Sequence, residues 1–110
     1  MTEKESRHAD YLALMLAAAT QVRSYVDGIN REDFLVDRKT QDAVIMKLLV
    51  IGELAAQLLD EHAVFISNNP GIPWHQMKGM RNRMAHGYFE LDIDVVWDTV
   101  QQAIPQLEDS

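Results

Sequence analysis

A segment of nine residues in the second half of the chain collects side chains suited to acid–base chemistry at a phosphodiester. The segment runs Met80-Arg81-Asn82-Arg83-Met84-Ala85-His86-Gly87-Tyr88. Histidine is the side chain that most readily takes up and releases a proton near neutral pH. The guanidinium of arginine carries a rigid set of N–H donors that matches the oxygens of a phosphate. Arg81 and His86 are therefore the candidate catalytic residues, with Asn82 beside them.

The spacing of Arg81 and His86 sets a geometric condition on such a site. On a continuous helix the two residues would lie about 140° apart and would not share a face. A helix that frays at Gly87 could turn His86 towards Arg81. Alternatively, a two-fold axis along the helix could bring two copies of the segment into one cleft. A single histidine can also belong to a core or a cap, but the clustering of polar residues favours a functional role.

The distribution of charge marks the same part of the chain. The chain has 17 Asp and Glu against 10 Lys and Arg, so its net charge of −7 should repel nucleic acid and anionic membranes. Between Glu61 and Glu90, however, there is no acidic residue, and a basic segment of this kind predicts local phosphate binding. Its basic side chains are Lys78, Arg81, Arg83, His62, His75 and His86. Lys78 and Arg83 are predicted to contact RNA or a partner, and a merely solvated face is the alternative.

The elements that must position this segment are helices, because apolar residues recur at helical spacing and no stretch alternates with a period of two. The first helix is predicted to begin at the capping pattern of Thr2 with Glu5, with Ser6 as a second candidate cap, and to end at Asp27-Gly28. A short helical turn follows over Asn30 to Leu35, capped by Asn30. Asp37 can then cap a long helix.

The second half of the chain predicts two further helices after a clear loop at Asn68 to Pro73. Before the loop, Ala63 to Ser67 either extends the long helix or forms a separate short one. Pro73 suits the first turn of the helix that carries the segment, and this helix should end near Gly87. Its core positions are predicted from their spacing to be Met77, Met80 and Met84.

The last helix completes the fold, with Asp92 or Asp94 as its cap and Pro105 expected to bend or end it. Four main helices joined by short connections predict an all-α antiparallel bundle, a single domain over residues 1–110. Gly52 in the long helix indicates the close approach of another helix, because glycine otherwise costs about 1 kcal/mol relative to alanine. The wide apolar faces of the first and the long helix leave surface that a homodimer would cover.

The composition argues against several kinds of site and location. There is no cysteine, the histidines at positions 8, 62, 75 and 86 include no His-x3-His pair, and there is no glycine-rich phosphate loop. We therefore expect no metal, no cofactor and no nucleotidyltransferase activity. No stretch is long enough to span a bilayer, and the acidic N-terminus is unlike a signal peptide. We expect a soluble cytoplasmic protein.

The spacing Arg81-x4-His86-x-Tyr88 resembles the signature of HEPN domains, and specifically of their HepT-like toxin branch. The agreement extends to Ile51-Gly52-Glu53, Ile72-Pro73-Trp74, Met77, Gly79-Met80-Arg81-Asn82 and Asp94-Val95-Val96-Trp97. The resemblance thus covers the chain from the long helix to the last one. It implies a HEPN-like helical bundle that dimerises so that two signatures face one cleft.

The resemblance also implies a function and a role for each residue of the signature. It implies a metal-independent endoribonuclease that is the toxin of a toxin–antitoxin pair, with a minimal nucleotidyltransferase as the antitoxin. His86 would be the acid–base residue, Arg81 would stabilise the phosphate and Asn82 would orient the site. The antitoxin would silence the toxin by adenylylating Tyr88. The alternative for Tyr88 is an amphipathic residue that caps the bundle, with its hydroxyl on a backbone carbonyl.

Glu53 is a candidate supporting residue on a mostly apolar stretch of the long helix. A half-buried carboxylate needs a cationic partner, and Arg81 is the partner that we expect. A solvated Glu at the edge of the helix is the alternative.

Two other functions remain open for the whole chain. It could be a non-catalytic helical protein that binds a nucleotidyltransferase or a nucleotide through the same basic cleft. It could also be a structural dimer with no role in nucleic acid chemistry. The presence of Arg81, His86 and Tyr88 together favours the ribonuclease.

Overall fold

The computed structural model describes residues 3–87 and 91–109, and that part of the chain is helical, without a strand. Its helices are α1 (Glu3–Val26), α2 (Arg31–Val36), α3 (Arg38–Glu61), α4 (Ala63–Ser67), α5 (Trp74–His86) and α6 (Ile93–Glu108). The predicted all-α class is confirmed, with α1, α3, α5 and α6 as the main helices. None of these helices is both long enough and apolar enough to cross a membrane. The capping pattern of Thr2 with Glu5 lies outside the residues whose side chains are described. Ser6, the second candidate, is not the cap, because α1 already begins at Glu3.

Side-chain caps begin the second and third helices, as the sequence predicts. The Asn30 side chain accepts a hydrogen bond from the Asp33 backbone N–H at 2.9 Å, and the Asp33 carboxylate accepts one from the Asn30 N–H at 3.4 Å. This capping box begins α2. Asp37 begins α3 by accepting hydrogen bonds from the Thr40 hydroxyl at 2.6 Å and the Thr40 backbone N–H at 3.1 Å. These bonds, the hydroxyl bond first, hold the pKa of the Asp37 carboxyl below its usual value.

At three helix boundaries the structure either decides between predicted alternatives or corrects the prediction. Asp92, rather than Asp94, caps α6, because its carboxylate accepts the Asp94 backbone N–H at 2.9 Å. α4 is a separate helix, since the backbone at His62 leaves the helical region between α3 and α4 (φ −136°, ψ 56°). Pro73 lies before α5 instead of in its first turn, because its ψ of 65° is not helical and the helix begins at Trp74.

Pro105 is expected from the sequence to bend or end the last helix, and the structure shows that the helix does not end there but continues to Glu108. Packing explains the continuation. Leu107, beyond the proline, is fully buried in the core, and Glu108 forms an ion pair with Arg23 of α1. These contacts outweigh the backbone hydrogen bond that proline cannot donate.

α3 is the central helix of the bundle and packs most extensively against α5 and α1, while α6 packs against α1 and α2. One hydrophobic cluster joins these helices. Full burial of a large apolar side chain contributes about 1.5–3 kcal/mol to stability. The largest fully buried side chains are Met15, Val22, Phe34, Val44, Ile51, Leu58, Val96 and Leu107.

Candidate functional site

Residues 80–86 of the segment that carries the signature lie on α5, which is anchored on the core along its length. Its buried face consists of Trp74, Met77, Met80 and Met84, so the three methionines predicted as core are confirmed. The Trp74 indole N–H donates to the backbone oxygen of Asn69 at 3.0 Å, which ties the start of α5 to the preceding loop. Only 4% of the Trp74 surface is exposed, so its ring is not available to stack on a base.

Gly52 of α3 lets α5 come close at the level of Arg81. A Cβ atom at Gly52 would overlap the Cβ of Arg81 and would lie 2.6 Å from the backbone oxygen of Met77. The two helices can approach this closely only because position 52 has no side chain. The close approach predicted from Gly52 is therefore confirmed, and the approaching helix is the one that carries the signature.

Besides its contact with Gly52, Arg81 makes a second contact with α3, to the next residue, Glu53. Its Nη1 atom lies 3.5 Å from Oε2 of Glu53, so the expected ion pair is present. Glu53 is not half-buried: its side chain is 55% exposed, and that of Arg81 only 24%. The Arg81 Nε atom is buried and has no hydrogen-bond partner among the described residues. A guanidinium has further N–H donors at its terminal nitrogens, so this one ion pair leaves donors for an anion.

His86 is exposed to solvent in the last turn of α5. The Gly87 backbone N–H donates to the Arg83 backbone oxygen at 2.9 Å, and this bond keeps His86 within the helix. The hypothesis that fraying at Gly87 turns His86 towards Arg81 is therefore wrong. Within one copy of the chain, Arg81 faces α3, and His86 lies about 140° farther around α5.

The polar side chains of α5 fall into two groups. Lys78 is half-buried and lies one turn before Arg81, on the same side of the helix. Asn82 and Arg83 are exposed and lie within one turn before His86, on its side. The structure thus places Lys78 with Arg81, and Asn82 and Arg83 with His86, but it does not bring the two groups together in one copy.

A cavity of about 450 Å³ lies between the last turn of α5 and the first turn of α6. It is lined by Arg83, His86, Gly87, Leu91, Asp92 and Val95. The sequence does not predict Leu91 and Val95 as site residues. Asp92 could have indicated them from the sequence. A helix cap only a few residues after His86 places the first turn of α6 beside the end of α5.

Two further predictions concern a modification and a metal. Tyr88, the predicted site of adenylylation, lies outside the described residues. Within residues 3–87 and 91–109, no group of three or more His, Asp or Glu side chains is arranged to hold a metal ion.

Known proteins resemble this chain over most of its length. A family model described as "Ribonuclease HepT-like" matches residues 15–110. The chain is 40% identical over 101 residues to "Probable ribonuclease HepT" of Thermococcus cleftensis, which covers 92% of this chain and 89% of the relative. It is 33% identical over 95 residues to a "Putative RNase" of Methanocaldococcus jannaschii, covering 86% of this chain and 76% of the relative. It is also 33% identical over 98 residues to a "Putative RNase" of Caldanaerobacter subterraneus, covering 89% of this chain and 85% of the relative.

The family match extends from within α1 through α6 and includes residues 80–88, which carry the signature. The relatives match over most of both chains. No solved structure matches the chain. The chain belongs to the HepT-like ribonuclease family.

Proposed function

We propose that this HepT-like ribonuclease is the metal-independent endoribonuclease toxin of a toxin–antitoxin pair and acts on RNA in the cytoplasm. The arrangement on α5 carries the proposal. Arg81 is held against α3 by Gly52 and Glu53, and His86 is exposed at the end of the helix. α5 itself has no acidic residue, so a phosphate that approaches it meets cations and neutral donors along the helix.

The functional unit that we propose is a homodimer. Arg81 and His86 of one copy lie about 140° apart on α5, too far around the helix for both to contact one phosphate. A two-fold axis along α5 would let two copies supply these groups to one cleft. Met46 and Val50 support this arrangement, because they are exposed apolar residues on the side of α3 that also carries Glu53.

The reaction that we propose is attack by the 2′-hydroxyl of the RNA on the adjacent phosphorus. His86 takes the proton of the 2′-hydroxyl as the 2′-oxygen bonds to phosphorus, and the 5′-oxygen leaves with a proton from an acid in the same cleft. The products are a 2′,3′-cyclic phosphate and a 5′-hydroxyl end, and the step consumes no water. Arg81 stabilises the charge that develops on the phosphate oxygens. Asn82 orients the site, and Lys78 and Arg83 contact the RNA backbone.

A second candidate is a non-catalytic helical protein that uses the same surface to bind a nucleotidyltransferase or a nucleotide. Its support is that the cationic groups of α5 would serve binding as well as catalysis. The exposed His86 favours catalysis, because binding alone calls for a permanent cation, which histidine is not. A structural dimer without a role in nucleic acid chemistry gives no reason for the absence of acidic residues on α5.

Cleavage of RNA by the chain is expected to persist in excess EDTA and to fail on substrates without a 2′-hydroxyl. The 2′-oxygen is the nucleophile in the proposed step, and side chains supply the proton transfer and the charge stabilisation. The measurement is gel analysis of a labelled single-stranded RNA and of its 2′-deoxy counterpart, each with and without EDTA. Loss of cleavage in EDTA that added Mg²⁺ restores would show a metal-dependent mechanism instead.

The antitoxin that we propose is a minimal nucleotidyltransferase that adenylylates Tyr88, two residues after His86. The added phosphodiester anion would compete with RNA for the cationic donors of the site, and the added base would obstruct the cleft. Co-expression with such an enzyme should add AMP to the peptide that carries Tyr88, as measured by mass spectrometry. In Tyr88→Phe both the added mass and the relief of toxicity should be lost. An unmodified Tyr88 in a fully neutralised complex would indicate inhibition by binding alone.

A further inference from the structure

The cavity between α5 and α6 has two chemically different sides. Leu91 and Val95 are half-buried, pack against the hydrophobic core and form an apolar wall. Arg83 and His86, exposed in the last turn of α5, form a polar wall with cationic character. Asp92 adds a carboxylate, of which Oδ1 accepts a backbone N–H of α6. Among the described residues, no hydrogen bond uses its second oxygen, Oδ2.

The apolar wall is formed before any ligand binds. The first turn of α6 is fixed by the Asp92 cap, and Val96, next to Val95 in the chain, is fully buried. The Thr99 hydroxyl donates to the backbone oxygen of Val95 at 2.8 Å, which further fixes this turn. A wall that is already ordered favours ligand binding, because little conformational freedom is lost.

The size and lining of the cavity suit a single nucleobase. Its volume of about 450 Å³ lies within the range of small-molecule sites. A flat heteroaromatic ring can place its face on Leu91 and Val95 and its polar edge against Arg83 and Asp92. A phosphate ion would use only the cationic wall. An aliphatic side chain of a protein partner would leave the polar groups without hydrogen bonds, which is unfavourable.

We propose that this cavity is a base-binding subsite, which holds one nucleobase of the RNA out of the stack beside the scissile phosphodiester. The inference rests on the proposed function through His86, which lines the cavity and is the proposed acid–base residue. The ribose of a nucleotide whose base occupies the cavity lies beside this imidazole. Arg83, at the same rim, contacts the adjoining phosphate.

The subsite selects RNA in which a base can leave the helical stack. A base in a duplex must first unpair and unstack before it enters a protein pocket, whereas a base in a loop or a single strand is already accessible. Cleavage is therefore directed to single-stranded segments. The base that binds best in the cavity sets the preferred nucleotide at the cleavage position.

The direct test is methyl NMR of the full-length chain with labelled leucine and valine. The probes are the four nucleoside 3′-monophosphates, with ribose 5-phosphate and inorganic phosphate as controls that lack a base. We expect at least one nucleotide to shift the Leu91 and Val95 methyl signals through the ring current of its base. The signals of the Val64 methyls should not shift, because Val64 lies on α4, away from the cavity, and is 74% exposed.

The outcomes of this experiment separate the inference from the proposed function. If no nucleotide shifts the Leu91 and Val95 methyls at millimolar concentration, or if ribose 5-phosphate shifts them equally, the base-binding subsite is refuted even where RNA is cleaved. Nucleotide-dependent shifts in a chain that cleaves no RNA would support base binding and refute the catalytic function.

A matched pair of variants tests the same inference by kinetics. Val95→Trp places a large ring in the cavity, and Val64→Trp places the same ring on the exposed surface of α4. We expect Val95→Trp to raise KM for a short RNA by about tenfold or more, as loss of one stacked base does, with kcat changed far less. Val64→Trp should keep both constants. An unchanged KM in a folded Val95→Trp variant would overturn the proposal.

Discussion

Replacing His86 with alanine is expected to lower RNA cleavage by about 10²–10⁴-fold, the range for loss of a general acid–base group, and to abolish growth inhibition. The side chain is exposed in the last turn of α5, so its removal opens no cavity in the core. The free energy of unfolding should therefore change by less than about 0.5 kcal/mol. Cleavage assays and growth curves measure the loss of function, and circular dichroism confirms the helical fold.

His75→Ala is the matched control for this variant. His75 is also an exposed histidine on α5 and lies three turns before His86, on nearly the same side of the helix. Loss of His75 should leave cleavage and toxicity close to those of the wild type. A His86→Ala chain that is as toxic as the wild type would show that the catalytic assignment is wrong.

Arg81→Ala should abolish growth inhibition as well, because it removes the donors that stabilise the phosphate. Its ion pair with Glu53 involves a carboxylate that is largely exposed, and pairs of this kind contribute about 0–1 kcal/mol to stability. The variant should therefore remain folded. Arg81→Lys keeps the positive charge but loses the planar donor geometry, so we expect it to recover only part of the activity.

Replacing Gly52 with alanine is expected to destabilise the fold by about 1–3 kcal/mol, the usual range for overpacking. Alanine is the better helix former by about 1 kcal/mol, which alone would stabilise α3. The new Cβ, however, would meet the Cβ of Arg81 and the backbone oxygen of Met77. Neither atom is at the end of a flexible side chain, so the two helices must separate, and overpacking dominates. Urea denaturation measures the difference.

We expect Gly79→Ala to have the opposite effect on the free energy of unfolding in the same experiment. A Cβ at Gly79, within α5, would meet no atom within 4 Å apart from its chain neighbours and the nearby backbone of its own helix. This substitution should therefore stabilise the chain by up to about 1 kcal/mol through helix propensity alone. If Gly52→Ala stabilises the chain as Gly79→Ala does, α3 and α5 are not held at the distance described.

Gly52→Ala should also lower cleavage under conditions in which the variant is still folded. Separation of α3 from α5 displaces Arg81, and a displacement of about 1 Å in a catalytic group can lower a rate about 10²-fold. Cleavage measured well below the unfolding midpoint separates this positional effect from loss of folded protein. Unchanged cleavage in a destabilised variant would restrict Gly52 to a structural role.

Helix caps and the close helix approach can be predicted from the sequence because their causes are local or specific to one residue type. Asn30 and Asp37 cap helices through hydrogen bonds to residues three positions ahead, so a short stretch of sequence is enough to predict these caps. Gly52 predicts a close neighbour because a glycine in the middle of a long helix needs a compensating contact. The partner Arg81 is likewise expected, because a carboxylate on a mostly apolar stretch of helix needs a cationic partner.

Features that depend on how helices pack are beyond the sequence pattern. Pro105 stays within α6 because the buried Leu107 and the ion pair of Glu108 hold the turn that follows it. The cavity arises where α5 ends beside the start of α6. Helical periodicity does not distinguish Val95 from an ordinary core position, and Leu91 lies before α6 begins.

The lack of acidic residues on α5 has a consequence for ionic strength. The described chain measures 46 × 29 × 20 Å, and electrostatic interactions extend about 30 Å at 0.01 M salt but only about 8 Å near 0.15 M. In dilute salt an approaching RNA therefore experiences the net charge of −7 of the whole chain. Near physiological salt that repulsion is screened, and the cations of α5, Lys78, Arg81 and Arg83, act at short range. Salt should first strengthen and only then weaken RNA association, whereas it only weakens binding to a uniformly basic protein.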